Sequence, residues 1–147
     1  MPTGTPINIL LVEDDPAHAE IVRRNLTDFP VENRMVHLED GQAALDYLFH
    51  QGIFTDQTAY PQPHMILLDL RLPRVDGLEV LSRIKQDPGL RHIPTVVLST
   101  SNANADILKV YEQGAGSYLV KPVDFDKFKR LMESFKFYWL TWNRFRA

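Results

Sequence analysis

The sequence predicts an α/β fold: one domain in which a parallel sheet is covered by helices on both faces. Three observations predict it. Apolar runs of strand length recur along the chain, each run is unbroken rather than alternating, and helix-period segments lie between them. Unbroken runs suit strands buried on both faces of a parallel sheet, whereas alternation suits a strand with one wet face. Strands that alternate with helices in this way are joined by right-handed crossovers.

The elements follow in order. Ile7 to Val12 is the first apolar run, and it ends on Glu13-Asp14-Asp15. Asp15-Pro16 opens the first helix, because the aspartate can accept free N–H groups of the first turn and proline at the first helical position loses no hydrogen bond. Ile21, Val22 and Leu26 give that helix its apolar face. Met35 to Leu38 fits a shorter strand, and a second helix runs from about Ala43 to Phe49. Gly52 to Pro63 (GIFTDQTAYPQP) holds turn formers without a period and is long for a helix-to-strand connection. It reads as a surface insertion, with a partner-specific loop as the alternative.

Met65 to Leu68 is the central and most apolar strand, and it ends on Asp69. Leu78, Val80, Leu81 and Ile84 mark the third helix. Thr95 to Leu98 is the next strand, ending on Ser99, and Ile107, Leu108 and Tyr111 mark the fourth helix before Gly114. Ser117 to Val120 is a short fifth strand. The last helix starts near Asp124, with Phe125, Phe128, Met132, Phe135, Trp139 and Trp142 in steps of three and four along one face. Phe137, Tyr138, Leu140 and Phe145 add apolar surface off that stripe. So much aromatic area argues for contact with a second copy or a partner, the alternative being extra packing within the domain.

Composition bounds what the chain can do. With 147 residues, 44% of them hydrophobic, it can bury one core and little else. A formal net charge of -3 offers no broad attraction to nucleic acid or anionic lipid. Cysteine is absent, which excludes disulfides and thiolate chemistry and suits a reducing compartment. No apolar stretch reaches membrane-spanning length, and the N-terminus lacks a basic region followed by a long apolar run. The expectation is a soluble cytoplasmic protein with protein and small-ion partners, no nucleic acid and no membrane. Asn25-Leu26-Thr27 lies in a helical pattern and is read as a chance glycosylation-like triplet.

The chemistry follows from where the polar residues fall. Ligands of an open parallel sheet bind beyond the carboxyl ends of its strands, and Glu13, Asp14, Asp69, Ser99 and Lys121 all sit at or just past such ends. Converging carboxylates repel one another unless a cation offsets them, and oxygen donors with little else suit a hard ion such as Mg²⁺. A phosphoryl group on one carboxylate would be held by a metal, an ammonium and a hydroxyl together. Asp69, ending the central strand, is the best acceptor; Asp14 and Glu13 are placed for the metal. Each residue alone has a plainer reading: a solvated acidic turn, a strand-end hydroxyl, a Lys-Pro turn, a core tyrosine at Tyr118. The histidines at 18, 37, 50, 64 and 92 show no metal-ligand spacing and read as surface or packing residues.

Together these residues resemble the receiver domain of two-component response regulators over nearly the whole chain. The matching stretches are LLVEDDP at 10 to 16, LLDLRLPRVDGLEVL at 67 to 81, VVLSTS at 96 to 101 and GAGSYLVKP at 114 to 122. The resemblance implies a flavodoxin-like fold with strand order 2-1-3-4-5 and a single receiver domain, its core at about 7–135 and a C-terminal extension at 136–147, without an output domain. It implies Mg²⁺ held by Asp14, Asp69 and the backbone carbonyl of Arg71, with Glu13 acting through a coordinated water. It also implies Asp69 as phosphoacceptor, Lys121 on the phosphoryl oxygens before a cis bond to Pro122, Ser99 as switch hydroxyl and Tyr118 as switch aromatic. The partner so implied is a sensor histidine kinase. The signalling surface is the face of the fourth helix, fifth strand and fifth helix, where a homodimer is expected together with the aromatic C-terminal helix. The FKFYWLTWNRFRA tail and the Gly52 to Pro63 loop are further similar to stand-alone response regulators of cyanobacterial phytochromes, which makes a phytochrome-type kinase the expected partner.

Three positions depart from the family pattern. Three acids follow the first strand where two are usual, so the register of Glu13 and Asp14 rests on the preceding LLV. Thr100 stands where a small residue is usual, and Arg71 brings a long cation near the site. Other classes fit less well. A haloacid-dehalogenase-type phosphatase needs a second aspartate two residues after the nucleophile, and position 71 is Arg. A DNA-binding regulator needs a helix-turn-helix or winged module, and the stretch after Asp124 is short and aromatic. A pseudo-receiver adaptor, binding partners without phosphorylation, is the better rival.

Overall fold

The computed structural model describes residues 7–27 and 33–138. Five strands and five helices alternate: β1 (Ile7–Val12), α1 (Pro16–Thr27), β2 (Asn33–Leu38), α2 (Gly41–Leu48), β3 (Met65–Leu68), α3 (Gly77–Gln86), β4 (Thr95–Ser99), α4 (Asn104–Glu112), β5 (Ser117–Val120) and α5 (Phe125–Lys136). All pairings are parallel, in the order β2-β1-β3-β4-β5. This is the predicted flavodoxin-like arrangement.

The unbroken apolar runs split between two cores, as burial on both faces requires. Leu10, Val12, Ile66, Leu68 and Val97 point to one side, beneath α2, α3 and Val110 of α4. Ile9, Leu11, Met65, Leu67, Val96 and Leu98 point to the other, beneath α1 and α5. Each such leucine or isoleucine contributes about 1.5–3 kcal/mol by leaving water. Within α5, Phe128, Met132 and Phe135 are the buried stripe, while Phe125 lies exposed just ahead of it. The tail residues Trp139, Leu140, Trp142 and Phe145 lie outside the described residues.

Side-chain caps set the helix starts. Asp15 Oδ1 accepts from the N–H groups of Ala17 and His18 at 2.9 and 3.3 Å, as expected. Asp124 Oδ1 does the same for Asp126 and Lys127. Asp40 caps α2 by accepting from Ala43 N–H at 2.7 Å, so that helix begins at Gly41, earlier than its apolar residues suggest. In α4 Val110 is buried and Ile107, one turn earlier, half-buried, while Leu108 and Tyr111 are exposed. Those two are the same spacing moved one residue on, hence turned about 100° around the axis.

The 52–63 insertion lies at the surface, with most of its residues exposed, and is anchored at a few points. A single 3₁₀ turn, Gly52–Phe54, drops Phe54 against Tyr47 and Tyr60, with ring centroids 5.3 and 5.0 Å away. Tyr47 OH donates to Pro61 O and the Gln62 amide donates to Leu48 O, both at 2.8 Å. The second bond satisfies a carbonyl that the end of α2 leaves free.

Candidate functional site

The register carries the polar residues to one edge. Val12 lies level with both Leu38 and Leu68, and Leu68 with Val97. The ladder runs one step further: Glu13 N–H donates to Leu38 O, Asp69 N–H to Val12 O, and Lys121 N–H to Ser99 O. Glu13, Asp69, Ser99 and Lys121 are therefore fixed by main-chain bonds at the carboxyl ends of four strands. His37 on β2 adds a 2.8 Å hydrogen bond to the Glu13 carbonyl. On the far side, Gly77 N–H donates to Leu70 O, and a Cβ at Gly77 would lie 2.1 Å from the Asp69 carbonyl oxygen. Only glycine lets α3 start this close to the strand end.

At that edge charge is buried. Glu13 is 1% exposed, Lys121 3%, Asp69 9% and Ser99 0%, while Asp14 faces solvent. The Lys121 ammonium directs its donors to Glu13 Oε1, to His18 Nδ1 at 3.2 Å and to Asp69 Oδ2 at 3.4 Å. Burial pushes the Glu13 carboxyl up to about 7, with the Asp69 charge adding to the rise and Lys121 working against both. His18 is held below the usual imidazole range, first by burial and then by the Lys121 charge.

Carboxylate oxygens of Glu13, Asp14 and Asp69 come within 4.8 Å of one another. A site of carboxylate oxygens whose negative charges outnumber its one lysine fits a hard divalent cation better than a soft one. Beside it, Ser99 Oγ accepts from Ser101 N–H at 3.2 Å, and the Tyr118 hydroxyl donates to Ser101 O at 2.7 Å. Arg71 splits its contacts: its N–H lies 3.4 Å from Asp69 Oδ1, whereas its guanidinium reaches Asp106 Oδ2 on α4 at 3.0 Å.

A family model for the response regulator receiver domain matches residues 9–133. The chain belongs to that family. Response regulator Rcp1 of Synechocystis is 38% identical to this receiver, over 94% of this chain and 92% of its own. The probable methanogenesis regulatory protein FilR2 of Methanothrix harundinacea is 49% identical, over 95% of this chain and 87% of its own. Among solved structures, the Mn(2+)-bound form of Rcp1 superposes with a TM-score of 0.92 at 37% identity, covering 97% of this chain and all of the other. The phosphorylated cyanobacterial phytochrome response regulator RcpA gives 0.92 at 34% identity, with the same coverage.

The receiver thus brings together every strand-end residue singled out in the sequence: Glu13, Asp14, Asp69, Ser99 and Lys121, with Arg71 and Tyr118 beside them. One implied detail is corrected: no described peptide bond is cis, so Lys121–Pro122 is trans, the more stable isomer of an X–Pro bond. Thr100, the bulkier neighbour of Ser99, is exposed. Sequence reasoning missed His18, which it grouped with packing histidines. That grouping suits His37, His50 and His64, which bond to backbone. His18 packs as well, its ring centroid 5.4 Å from that of Phe128, but the first turn of α1 also turns its Nδ1 to Lys121 in the crevice. Ser101 and Asp106 were also missed; two hydroxyls separated by one residue in Ser99-Thr100-Ser101, followed by an acid in the first turn of α4, were the available signal. Among the described residues no helix is long and apolar enough to cross a membrane.

Proposed function

We propose that this receiver accepts a phosphoryl group on Asp69 from a sensor histidine kinase and signals through a changed protein surface. The observation that carries the reading is the buried Asp69 carboxylate lying against Lys121, with Glu13 and Asp14 within reach of one shared cation. An Asp69 oxygen attacks the phosphorus of a phosphohistidine; the N–P bond breaks and the imidazole leaves with its electron pair. The products are an acyl phosphate on Asp69 and free histidine on the kinase. Lys121 turns from its carboxylates to the new phosphoryl oxygens, and the strand-end geometry supplies orientation. A divalent cation, Mg²⁺ in this reading, would be held by Asp14, Asp69, the Arg71 carbonyl and Glu13 through water, and would neutralise charge on the transferred group. Water later hydrolyses the acyl phosphate.

Ser99 and Tyr118 read the result. Phosphoryl oxygens draw the Ser99 hydroxyl, which gives up the Ser101 N–H, and the Tyr118 ring moves into the space released. The α4–β5–α5 face carries the change to a second copy of the chain; exposed Leu108, Tyr111 and Val120 support that role. Likeness to Rcp1 and RcpA supports a phytochrome-type kinase as donor. The 49% identity to FilR2 favours a second reading, in which the sensor belongs to another class.

Phosphate uptake from acetyl phosphate with Mg²⁺ tests the acceptor. Wild type is expected to be labelled and Asp69→Asn not; equal labelling of both would overturn the assignment, and no labelling of wild type would favour a pseudo-receiver adaptor. Transfer from phytochrome-type kinases, set beside kinases of other sensor classes, separates the two donor readings. Sizing with and without acetyl phosphate tests the dimer.

A further inference from the structure

Side chains that the phosphoryl chemistry leaves unused connect the crevice to α4. Asp106, in the first turn of α4, accepts at Oδ2 from Ser101 Oγ at 2.6 Å and from the Arg71 guanidinium at 3.0 Å. The donors come from different loops: Arg71 follows Asp69, and Ser101 follows Ser99. Ser101 meets four partners through three groups. Its N–H donates to Ser99 Oγ, its carbonyl accepts from the Tyr118 hydroxyl, and its own hydroxyl donates to Asp106 while accepting from Ala103 N–H at 3.3 Å. The carboxyl of Asp106 is held below the usual aspartate range, first by the Ser101 hydroxyl and then by Arg71.

The two bonds to Asp106 are unequal. The Arg71 side chain is 64% exposed, so its ion pair is screened and weak. The hydroxyl-to-carboxylate bond is short and charge-assisted, and the Asp106 side chain is only 19% exposed. Ser101 is therefore held chiefly from the α4 side. If Ser99 gives its hydroxyl to a phosphoryl group, Ser101 loses its N–H tether and keeps the two bonds of its hydroxyl, the charge-assisted one to Asp106 being the shorter.

We propose that Asp106 is a positioning residue of the switch: by pinning Ser101 it holds the Tyr118 hydroxyl in the resting arrangement while Asp69 is unphosphorylated. The proposal rests on reading Ser99 and Tyr118 as the switch pair. Asp106 then sets how far the resting arrangement is favoured over the signalling one, since a contact made in only one of two states shifts the balance by its own strength. Arg71 gives the phosphoryl group a second route to α4, because a dianion on Asp69 competes with Asp106 for the guanidinium.

The test compares wild type with Asp106→Ala, Asp106→Asn, Arg71→Gln and the Arg71→Gln/Asp106→Asn pair, all as full chains. The deciding signal is the Tyr118 ring resonances in unphosphorylated protein. Asp106→Ala is expected to move them towards their position in wild type treated with acetyl phosphate and Mg²⁺. Asp106→Asn, which keeps an acceptor for Ser101, is expected to move them less. Phosphate uptake from acetyl phosphate should quicken roughly two- to fivefold in Asp106→Ala, the fold-change that follows from losing one partly exposed charged contact. The double variant should fall short of the sum of its singles, because both remove the same bond. Tyr118 resonances unmoved in both Asp106 variants would overturn the proposal; a purely structural role would lower the melting temperature without displacing that one ring. If wild type takes up no phosphate, the acceptor reading fails separately, and displacement of Tyr118 in the unphosphorylated variants still decides the role of Asp106.

Discussion

The carboxyl edge of the sheet buries Glu13, Asp69 and Lys121, whereas the α4–β5–α5 face leaves Leu108 60%, Tyr111 49% and Val120 39% exposed. Each region inverts the ordinary distribution, and they do so in opposite senses. Burying charge costs desolvation unless the charges are paired, and leaving apolar area in water forfeits about 25 cal/mol per Å². A fold that tolerates both concentrates its cost at these two places. Between them lie Ser101 and Tyr118, neither fully buried nor fully exposed.

The sharpest way to break the contrast is at Asp69. Asp69→Asn keeps the shape of the edge and is expected to abolish phosphate uptake, read by labelling from acetyl phosphate. Next is Lys121→Met, which leaves Glu13 and Asp69 buried without their cation. Breaking such a pair should cost about 3–5 kcal/mol in urea unfolding, and a loss below 1 kcal/mol would mean that water already reaches the edge. On the other face, Leu108→Glu should stay within about 0.5 kcal/mol of wild-type stability, since its side chain leaves little behind. It should nevertheless weaken self-association roughly tenfold if Leu108 lies at the centre of the contact, as measured by sedimentation.

The smallest effect concerns acid. Asp124 caps α5, and the N–H groups of Lys127 and then Asp126 hold its carboxyl below the ordinary 3.8. A carboxyl lowered in the fold stabilises above its unfolded value and loses that contribution as the pH falls through the folded one. Wild type should therefore lose stability between pH 5 and pH 2 slightly faster than Asp124→Asn, whose amide oxygen caps without titrating. Parallel unfolding midpoints would show that the cap carries no charge-dependent part.

What could be read from the sequence follows the same division. Glu13, Asp69, Ser99 and Lys121 were legible because strand ends in a parallel sheet share one address, which the register enforces without reference to side chains. His18, Ser101 and Asp106 were not, because their meeting depends on helix phase and on partners far along the chain: Lys121 and His18 are 103 positions apart, Arg71 and Asp106 35. The α4 face was misjudged for a related reason. Apolar residues at 107, 108, 110 and 111 fit two phases of one short helix, and packing into the core selects Val110. The 52–63 insertion lacked any period to read, yet three aromatic rings seat it.

Gly77 has a consequence for heredity. A single added methyl there would meet the Asp69 main-chain oxygen at 2.1 Å and Leu70 O at 2.7 Å, and both are backbone atoms that cannot swing aside. A genetic screen for lost signalling is therefore expected to return Gly77→Ala alongside Asp69→Asn, although alanine removes no reactive group, binds nothing and sits outside the crevice. Recovered protein from such an allele should fold yet take up phosphate poorly. A fully active Gly77→Ala would show that the strand end can retreat from α3.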